Sequence, residues 1–322
     1  MKNILVTGGA GFIGSHVVRE LLRLDYHVYC IDNFDNFYSR KQKMRNISDS
    51  ANHQHFHLIE KDILDIDAFS TIQNCNIDCI IHLAAKAGIR QSIENPFNYN
   101  EVNIQGTLKV LEFARKNGVK KIIHASSSSV YGINTDIPWK EIITDLKPIS
   151  PYASSKIASE DLCYVYHNLY NLKCVVLRFF TVFGPGQRPD LAIHKFANLI
   201  NTGKEINLFG NGETKRDYTF VDDIVAGIIA AIQYEQSNFE IFNLGNNYAV
   251  SLKDLIDAME EVFKLKIKRN YLPVQAGDVP VTFADISKAK EILNYKPVVS
   301  LNEGLEKFKQ WHMDYYKIID YK

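Results

Sequence analysis

The segment NILVTGGAGFIG, residues 3–14, contains the pattern that decides the fold of this chain. Its first half is a short apolar run of the kind that forms a buried parallel strand. Glycines follow at three-residue spacing, and apolar residues at helical spacing begin with the last turn of the motif. Such glycines allow a tight turn, close approach of a pyrophosphate and close packing of helix on strand. The segment predicts a dinucleotide-binding strand–turn–helix unit, although the glycines alone also suit a purely structural turn. The residues predicted to contact the dinucleotide here are Gly8, Gly11, Phe12, Ile13 and Gly14.

The alternation of strand and helix patterns continues outward from this segment. We predict further strands over residues 27–31, 56–60, 78–83, 121–125 and 174–179, and helices over 12–24, 98–117 and 152–170. This rhythm is typical of an α/β fold with a Rossmann-type, doubly wound parallel sheet.

The end of the second predicted strand selects the cofactor. A carboxylate at Asp32 can bind both hydroxyls of an adenosine ribose and would repel a 2′-phosphate. Asn33 follows it rather than a lysine or arginine, so the sequence favours NAD over NADP. The ends of the third and fourth strands are placed to meet the adenine and to run beside the cofactor. The cofactor-contacting residues predicted there are Asp62, Ile63, Leu83, Ala84, Ala85 and Lys86.

The pattern changes after residue 178. A Gly/Pro-rich loop (181–190), a helix (191–202) and a polar segment (210–217) come first. A helix over 221–234 and a strand over 240–244 are placed to return to the main sheet, and helices over 251–263 and 302–316 indicate a second lobe. We therefore expect an NAD-binding domain over residues 1–180, to which 217–248 returns. The smaller C-terminal α/β substrate lobe is expected to comprise 181–216 and 249–322.

Composition excludes several functional classes. Lys+Arg and Asp+Glu both total 37, which argues against a general binder of nucleic acid or membrane surfaces. An odd number of cysteines, five, indicates a reducing compartment, and no apolar run reaches the roughly 20 residues that span a bilayer. We therefore expect a cytoplasmic protein. His53, His55 and His57 alternate, but no carboxylate or cysteine completes a metal site with them, so no metal is expected.

A candidate chemical centre lies in YASSK, residues 152–156. The four-residue spacing puts Tyr152 and Lys156 on one helix face. A phenol is a poor base at neutral pH, but a neighbouring ammonium and a cationic nicotinamide favour its phenolate. The pair alone also fits a helix surface. The serines of ASSSSVYG, residues 125–132, end the fifth strand, where a hydroxyl can hydrogen-bond a reacting oxygen.

Six segments together resemble a known family: TGGAGFIG, HLAAKAG, SSSSVYG, PYASSK, RFFTVFGPGQRPD and KRDYTFVDD. They are similar to the extended short-chain dehydrogenase/reductases of the NAD-dependent nucleotide-sugar epimerase group, and they occur in the family order. AGIRQSIENP, GPGQRPD and QAGDVPVTFADI look most like the UDP-glucuronate 4-epimerase subfamily.

The resemblance implies a catalytic triad of Ser127, Tyr152 and Lys156 and a tightly held NAD that is recycled in each turnover. Tyr152 would take the proton of the sugar 4-hydroxyl while hydride leaves C4. The 4-keto sugar would swing about its pyrophosphate and take the hydride back on its other face. The resemblance also implies a homodimer in which helices 98–117 and 152–170 form a four-helix bundle, although these helices could equally cover only the monomer core.

The resemblance also implies the substrate contacts. Arg216 matches the arginine on the diphosphate or ribose side, and Asp278 matches the ribose-binding carboxylate. Gln275 stands where galactose-type epimerases have an arginine. Thr282 falls at the gatekeeper position. The remaining residues predicted to bind the UDP-sugar are Arg90, Ser127, Ser128, Thr181 and Arg188.

Several of these residues are predicted to control the orientation of the sugar's carboxylate. Oxidation of a glucuronate at C4 gives a β-keto acid, which loses CO₂ when the C5–carboxylate bond stands perpendicular to the ketone plane. Ser127, Ser128 and Thr181 are short hydroxyl donors placed to prevent that geometry. Arg188 is placed to bind the carboxylate through two nitrogens of its guanidinium. It also fits an ordinary arginine of a surface loop.

Other activities remain open. Related dehydratases carry Asp-Glu where this chain has Ser128 and Ser129, and without a second carboxylate elimination lacks its general acid. The sequence therefore favours epimerisation. The alternatives are a UDP-glucuronate decarboxylase, a 4-epimerase of UDP-glucose or UDP-N-acetylglucosamine, and an inactive NAD sensor, which would tend to lack the Tyr/Lys pair.

Overall fold

The structure, a computed structural model, describes residues 2–273 and 279–320, with side chains up to residue 316. In chain order its strands are β1 (Asn3–Thr7), β2 (His27–Asp32), β3 (Phe56–Glu60), β4 (Cys79–His82), β5 (Lys121–Ser127), β6 (Lys173–Phe179), β7 (Thr181–Phe183), β8 (Ile206–Phe209), β9 (Lys215–Phe220), β10 (Phe239–Leu244), β11 (Ala249–Ser251) and β12 (Arg269–Leu272). Its α-helices are α1 (Phe12–Arg23), α2 (Arg40–Asn46), α3 (Ile89–Glu94), α4 (Pro96–Asn100), α5 (Gly106–Lys116), α6 (Pro151–Tyr170), α7 (Ala192–Asn201), α8 (Val221–Gln233), α9 (Leu252–Phe263), α10 (Ser287–Leu293) and α11 (Leu301–Asp320).

The main sheet has seven strands in the order β10-β6-β5-β4-β1-β2-β3, and every neighbouring pair is parallel. This confirms the predicted Rossmann-type sheet. The strand order reverses between β1 and β4, so the loops after these strands diverge and leave a crevice at their carboxyl ends. Ligands of open parallel sheets bind in such a crevice.

Both faces of the sheet are covered, because alternate residues of β1 point to opposite sides. Ile4 and Val6 belong to one hydrophobic cluster, which includes the apolar sides of α1 and α8 and continues into the C-terminal lobe. Leu5 belongs to a second cluster formed with α5 and α6. In the described part of the chain, no helix is both long and apolar enough to cross a membrane.

Two small sheets in the C-terminal part were not predicted. They have the orders β11-β9-β7 and β12-β8. The segments expected as a loop (181–190) and as a polar stretch (210–217) contain β7 and the start of β9. β9 was not predicted because it buries polar residues. Asp217 is fully buried and accepts hydrogen bonds from the backbone N–H groups of Asn246 and Ala284 at 2.6 and 3.2 Å. Such a strand lacks the apolar alternation that sequence patterns detect.

The helix predicted over 98–117 is interrupted. A π-helical turn, Glu101–Gln105, separates α4 from α5. This turn directs the buried Asn103 inward, where its side chain accepts from the backbone N–H of Lys86 at 2.8 Å and donates to the Lys86 carbonyl at 2.9 Å. π-turns commonly occur at functional sites. Here the turn fixes the loop that follows β4.

Candidate active site

One cleft of about 720 Å³ opens at the carboxyl edge of the main sheet. It brings together residues that are far apart in sequence. The predicted site residues that line it are Gly8, Gly11, Phe12, Ile13, Gly14, Asp32, Asn33, Asp62, Ile63, Leu83, Ala84, Ala85, Lys86, Ser127, Ser128, Tyr152, Lys156, Thr181, Arg188, Arg216 and Thr282.

Three predicted substrate residues are not among them. Arg90 lies with its guanidinium 5.2 Å from the centre of the Phe209 ring, outside the lining of the cleft. Gln275 and Asp278 fall outside the described residues, so their predicted roles stay predictions.

The glycine turn before α1 forms a cradle that side chains would fill. A Cβ on Gly14 would lie 2.1 Å from the Gly8 carbonyl oxygen, and one on Gly8 would lie 2.8 Å from the Ala84 backbone nitrogen. Gly8 also has a φ of +73°, which disfavours other residues. Gly11 caps α1 without a side-chain hydrogen bond, so backbone N–H groups of the first turn are available to an anion. These residues fit the pyrophosphate of a dinucleotide.

Asp32 is fixed at the end of β2. Its two carboxylate oxygens accept from the backbone N–H groups of Ala10 (3.0 Å) and Phe34 (2.8 Å). Burial raises the pKa of this carboxyl, whereas Lys43 and the two backbone donors favour the ionised form. Each oxygen retains a lone pair, so the carboxylate can still accept from the two hydroxyls of a ribose.

The adenine side of the cleft contains a linked polar pair. The Asn33 amide donates to Asp62 at 2.6 Å, and Asp62 also accepts from the Leu64 backbone N–H at 2.8 Å. These bonds fix both side chains at the ends of neighbouring strands.

A second tether was not predicted. Lys86 forms an ion pair with Asp35 at 2.6 Å, and Lys43 donates to the Asp35 carbonyl at 2.8 Å. The loop after β2 is thereby tied to the loop after β4 across the cleft. Its signal in the sequence is weak, because Asp35 is one of several polar residues after Asp32. Asn103 was missed for a similar reason: only the π-turn directs it inward.

Ser127 and Tyr152 meet at the centre of the cleft. The Ser127 oxygen accepts from the Ser129 backbone N–H at 3.2 Å and from the Ser129 hydroxyl at 2.9 Å. Its own proton is therefore left for another acceptor, and Tyr152 lines the same cleft. Burial raises the pKa of Tyr152, while the bond from Ser127 and the positive charge of Arg188 lower it. Because burial is the largest of these effects, the pKa of Tyr152 lies above its ordinary value, and Ser127 and Arg188 only reduce that rise.

Lys156 lies one turn further along α6. It is buried, and its ammonium donates to the Ala125 carbonyl at 2.9 Å. Burial lowers its pKa to about 8, while Glu160 acts in the opposite direction. Lys156 is therefore charged at neutral pH but titrates within the working range of an enzyme.

Arg188, which was predicted to bind the substrate carboxylate, is already paired with a carboxylate of the protein. Its Nε and Nη2 donate to both oxygens of Asp190 at 2.9 and 2.6 Å, and Nη2 also donates to the Ala87 carbonyl at 2.9 Å. The charged fork is thus already engaged by a carboxylate of the same loop. Arg216 lines the cleft and donates through Nη1 to the Lys215 carbonyl at 2.8 Å.

Histidine rings lie side by side at the edge of the main sheet. The His57 ring is parallel to that of His27 with centroids 6.5 Å apart, and the His55 ring is tilted against that of His27 at 4.2 Å. Within residues 2–273 and 279–316, no group of three or more His, Cys, Asp or Glu side chains is arranged to hold a metal ion.

Known proteins resemble this chain over almost its whole length. The family profile described as GDP-mannose 4,6 dehydratase matches residues 5–308. An uncharacterized protein of Methanocaldococcus jannaschii is 44% identical over 316 residues, covering 97% of each chain. The UDP-glucuronate 4-epimerase of Thermodesulfobacterium geofontis is 41% identical over 321 residues, covering 99% of this chain and 98% of that one. The crystal structure of UDP-glucuronic acid 4-epimerase from Bacillus cereus, in complex with UDP-glucuronic acid and NAD, superposes with a TM-score of 0.92 at 37% identity, covering 98% of this chain and 100% of that one.

Proposed function

This chain belongs to the nucleotide-sugar epimerase group of the extended short-chain dehydrogenase/reductases, the family that the GDP-mannose 4,6 dehydratase profile describes, and from that premise we propose that it is a UDP-glucuronate 4-epimerase. It is an NAD-dependent isomerase that inverts C4 of UDP-glucuronate to give UDP-galacturonate. The observation that carries the proposal is that Ser127, Tyr152 and Lys156 line one cleft together with the dinucleotide cradle.

The catalytic residues each have a distinct task in the proposal. NAD, when bound, supplies the acceptor and the donor for the hydride of C4. Tyr152 takes the proton of the 4-hydroxyl, and Ser127 donates a hydrogen bond to the reacting oxygen. The Lys156 ammonium favours the Tyr152 phenolate. After the sugar ring has turned about its diphosphate, Tyr152 returns the proton and C4 has the opposite configuration.

The chain's own residues would hold the cofactor at four points. The glycine turn of Gly8, Gly11 and Gly14 would accommodate the pyrophosphate, and Asp32 would accept from the adenosine ribose. Asp62 and Ile63 would contact the adenine, and Lys86 would lie beside the middle of the cofactor. The tether from Lys86 to Asp35 supports a cofactor that stays bound between turnovers.

The carboxylate of the substrate must be held in one orientation during the 4-keto stage. Ser128 and Thr181 line the cleft, and with Ser127 they offer hydroxyls that can fix the carboxylate in the plane of the C4 ketone. A carboxylate held in that plane cannot leave as CO₂. We assign these hydroxyls the role of preventing decarboxylation during the 4-keto stage.

A neutral UDP-hexose is the second candidate substrate, and one observation favours it. Because Asp190 already engages two nitrogens of Arg188, the guanidinium does not present an unpaired fork to a sugar carboxylate. If the hydroxyls alone bind the acid weakly, UDP-glucose or UDP-N-acetylglucosamine would compete as the substrate.

A substrate panel separates these candidates. Purified protein is incubated separately with UDP-glucuronate, UDP-glucose and UDP-N-acetylglucosamine, and the kcat/KM for the 4-epimer is measured with CO₂ release. We expect UDP-galacturonate from UDP-glucuronate at the highest kcat/KM, with little CO₂. Thr181→Val should weaken binding of the acid and raise the share of decarboxylated pentose. A higher kcat/KM for a neutral hexose, with an unchanged product ratio in Thr181→Val, would contradict the acid-sugar assignment.

The exposed side of α6 supports the proposed homodimer. Leu169 is 66% exposed and Phe97 on α4 is 84% exposed, although both are large apolar side chains. Tyr164 and Val165 extend this surface. The continuous helical segment from α4 through the π-turn to α5, together with α6, gives two helical segments per copy, and pairing them with those of a second copy would bury these side chains in a four-helix bundle. The cytoplasmic location stays a prediction from composition.

A further inference from the structure

A buried ion pair lies directly beneath the chemical centre. Arg178 on β6 donates through Nε and Nη2 to the two oxygens of Glu160 on α6, at 3.0 and 2.7 Å. The side chains are only 3% and 6% exposed. A buried pair of this kind gains little stability over apolar residues of similar size, because desolvation offsets the attraction. Its position therefore points to another role.

The Glu160 carboxylate of this pair also joins the two elements that carry the catalytic residues, β5 and α6. Ser126, next to Ser127 at the end of β5, donates from its hydroxyl to the same Glu160 carboxylate. Ser126 is also the register partner of Arg178 across β5 and β6. Glu160 follows Lys156 by one helical turn, and Lys156 is bonded to Ala125 on the same strand. One carboxylate thus fixes the tip of β5 against the catalytic face of α6.

The cation of the pair is held from its other side as well. The Arg178 guanidinium lies 4.9 Å from the centre of the Tyr131 ring, and the Tyr131 hydroxyl donates to Asn243 on β10 at 2.7 Å. Burial opposes the charge on Arg178, but its hydrogen bonds to Glu160 raise its pKa. The network therefore extends across three strands and keeps Glu160 in one position.

From these contacts we propose that Glu160 and Arg178 form a positioning ion pair, which holds Ser127 in register with Tyr152 and places a negative charge beside Lys156. The proposal rests on the role that the proposed function gives to Lys156. Neither Glu160 nor Arg178 contacts the substrate in it; both act through the residues that do.

Few other groups around Lys156 compete with the Glu160 carboxylate in setting its pKa. The titratable groups around Lys156 are Tyr152, Glu160 and Cys163 on α6, His124 on β5, His82 on β4 and Arg178 on β6. Burial lowers the pKa of His82 to about 3 and that of His124 well below its usual value, so both rings stay neutral. A hydrogen bond with Cys174, together with burial, raises the pKa of the Cys163 thiol, which also stays neutral. Glu160, which is ion-paired with Arg178, is therefore the group of this set that most favours the ammonium form of Lys156.

The test begins with Glu160→Gln. Without the anion, Lys156 should lose its proton at lower pH, so the alkaline limb of the kcat profile should move down by about half a pH unit or more. Because Glu160 also holds the tip of β5, and a hydrogen bond from Ser127 lowers the pKa of Tyr152, loss of the carboxylate should displace Ser127 and make Tyr152 ionise at higher pH. We expect kcat at pH 7.5 to fall about tenfold or more while KM for the UDP-sugar changes little.

The second variant separates positioning from folding. Glu160→Gln leaves Arg178 buried without a carboxylate and is expected to lower the melting temperature, whereas Glu160→Gln/Arg178→Met removes both charges and should regain stability. The double variant should nevertheless keep the shifted pH profile. Glu235→Gln is the matched control, because it removes the carboxylate partner of buried Lys121 at the opposite end of β5 and should leave the profile unchanged.

An ultraviolet titration makes the test independent of turnover. The phenolate signal present in each protein, and absent when Tyr152→Phe is added, reports the ionisation of Tyr152 directly. A wild-type profile and a wild-type Tyr152 titration in the folded double variant would overturn the proposal. A shifted titration in a protein that epimerises no UDP-sugar would support the ion pair's role and refute the proposed function instead.

Discussion

At the scale of the residue, two hydrogen bonds orient the hydroxyl of Ser127. Ser129 donates to it through its backbone N–H and its own hydroxyl, which leaves the Ser127 proton for another acceptor. Hydrogen bonding from Ser127 lowers the pKa of Tyr152, against the effect of burial. The sequence predicted Ser127, Tyr152 and Lys156 from spacing and resemblance. It could not predict the supporting role of Ser129, because four adjacent serines are indistinguishable until the chain turns into the short 3₁₀ helix that begins at Ser128.

Replacement of Tyr152 by Phe removes only the ionisable oxygen. We expect kcat to fall by about 10²- to 10⁴-fold, the usual contribution of a general base, with NAD still bound. Turnover of UDP-glucuronate and the cofactor content of the denatured protein are the measurements. Activity close to that of the wild type would remove Tyr152 from the chemistry.

The Ser129 hydroxyl makes a smaller contribution. Ser129→Ala keeps the backbone donor to Ser127 but loses the side-chain donor, so kcat should fall by about three- to tenfold, the worth of one hydrogen bond. Ser154→Ala, which alters an exposed serine on α6, is the control. Equal rates in the two variants would show that the Ser127 hydroxyl needs no such orientation.

The pKa of Lys156 predicts where activity declines on the alkaline side of the pH profile. Because burial lowers its pKa to about 8, Lys156 is an ammonium below that pH and neutral above it. The kcat/KM should therefore decline above about pH 8 in the free enzyme. Lys156→Ala should be slow at every pH, with its acidic limb moved to higher pH because the cation that favours the phenolate is gone. A variant whose acidic limb matches the wild type would contradict this role.

At the scale of the element, most of the architecture followed from periodicity, and the exceptions have physical causes. The strands of the main sheet are apolar runs and were predicted within a few residues. β9 was missed because it buries Asp217 and Thr219, whose polar groups are satisfied only after folding. The π-turn before α5 was missed because its residues have helical propensity, and only the contact of Asn103 with the Lys86 loop selects the wider turn.

The loop after β2 is expected to slow the release of NAD, because Asp35 in this loop pairs with Lys86. Asp35→Asn removes the ion partner of Lys86 and should speed NAD release by about three- to tenfold, as expected for a partly buried pair. The measurement is the rate at which bound NADH fluorescence is lost after dilution into excess NAD. Asp67→Asn, which breaks the exposed Lys61–Asp67 pair, should release cofactor at the wild-type rate. Identical release rates in all three proteins would show that this loop does not restrain the cofactor.

At the scale of the whole molecule, the unpartnered apolar side of α4 and α6 predicts assembly. Leu169→Glu would place a charge at the centre of the proposed bundle and should shift the protein from dimer to monomer in sedimentation at micromolar concentration. Ile142→Glu alters a large apolar side chain that is even more exposed, in another part of the surface, and should stay dimeric. A wild-type protein that sediments as a monomer would leave α4, α5 and α6 as a cover for the monomer core alone.

The central claim is that one enzyme oxidises C4 of UDP-glucuronate and returns the same hydride to the other face. The most direct measurement uses UDP-glucuronate deuterated at C4, with the purified protein and no added cofactor, followed by NMR of the products. We predict UDP-galacturonate that retains deuterium at C4, because the hydride never leaves the closed site. UDP-galacturonate carrying hydrogen at C4, or no C4-inverted product, would contradict the account.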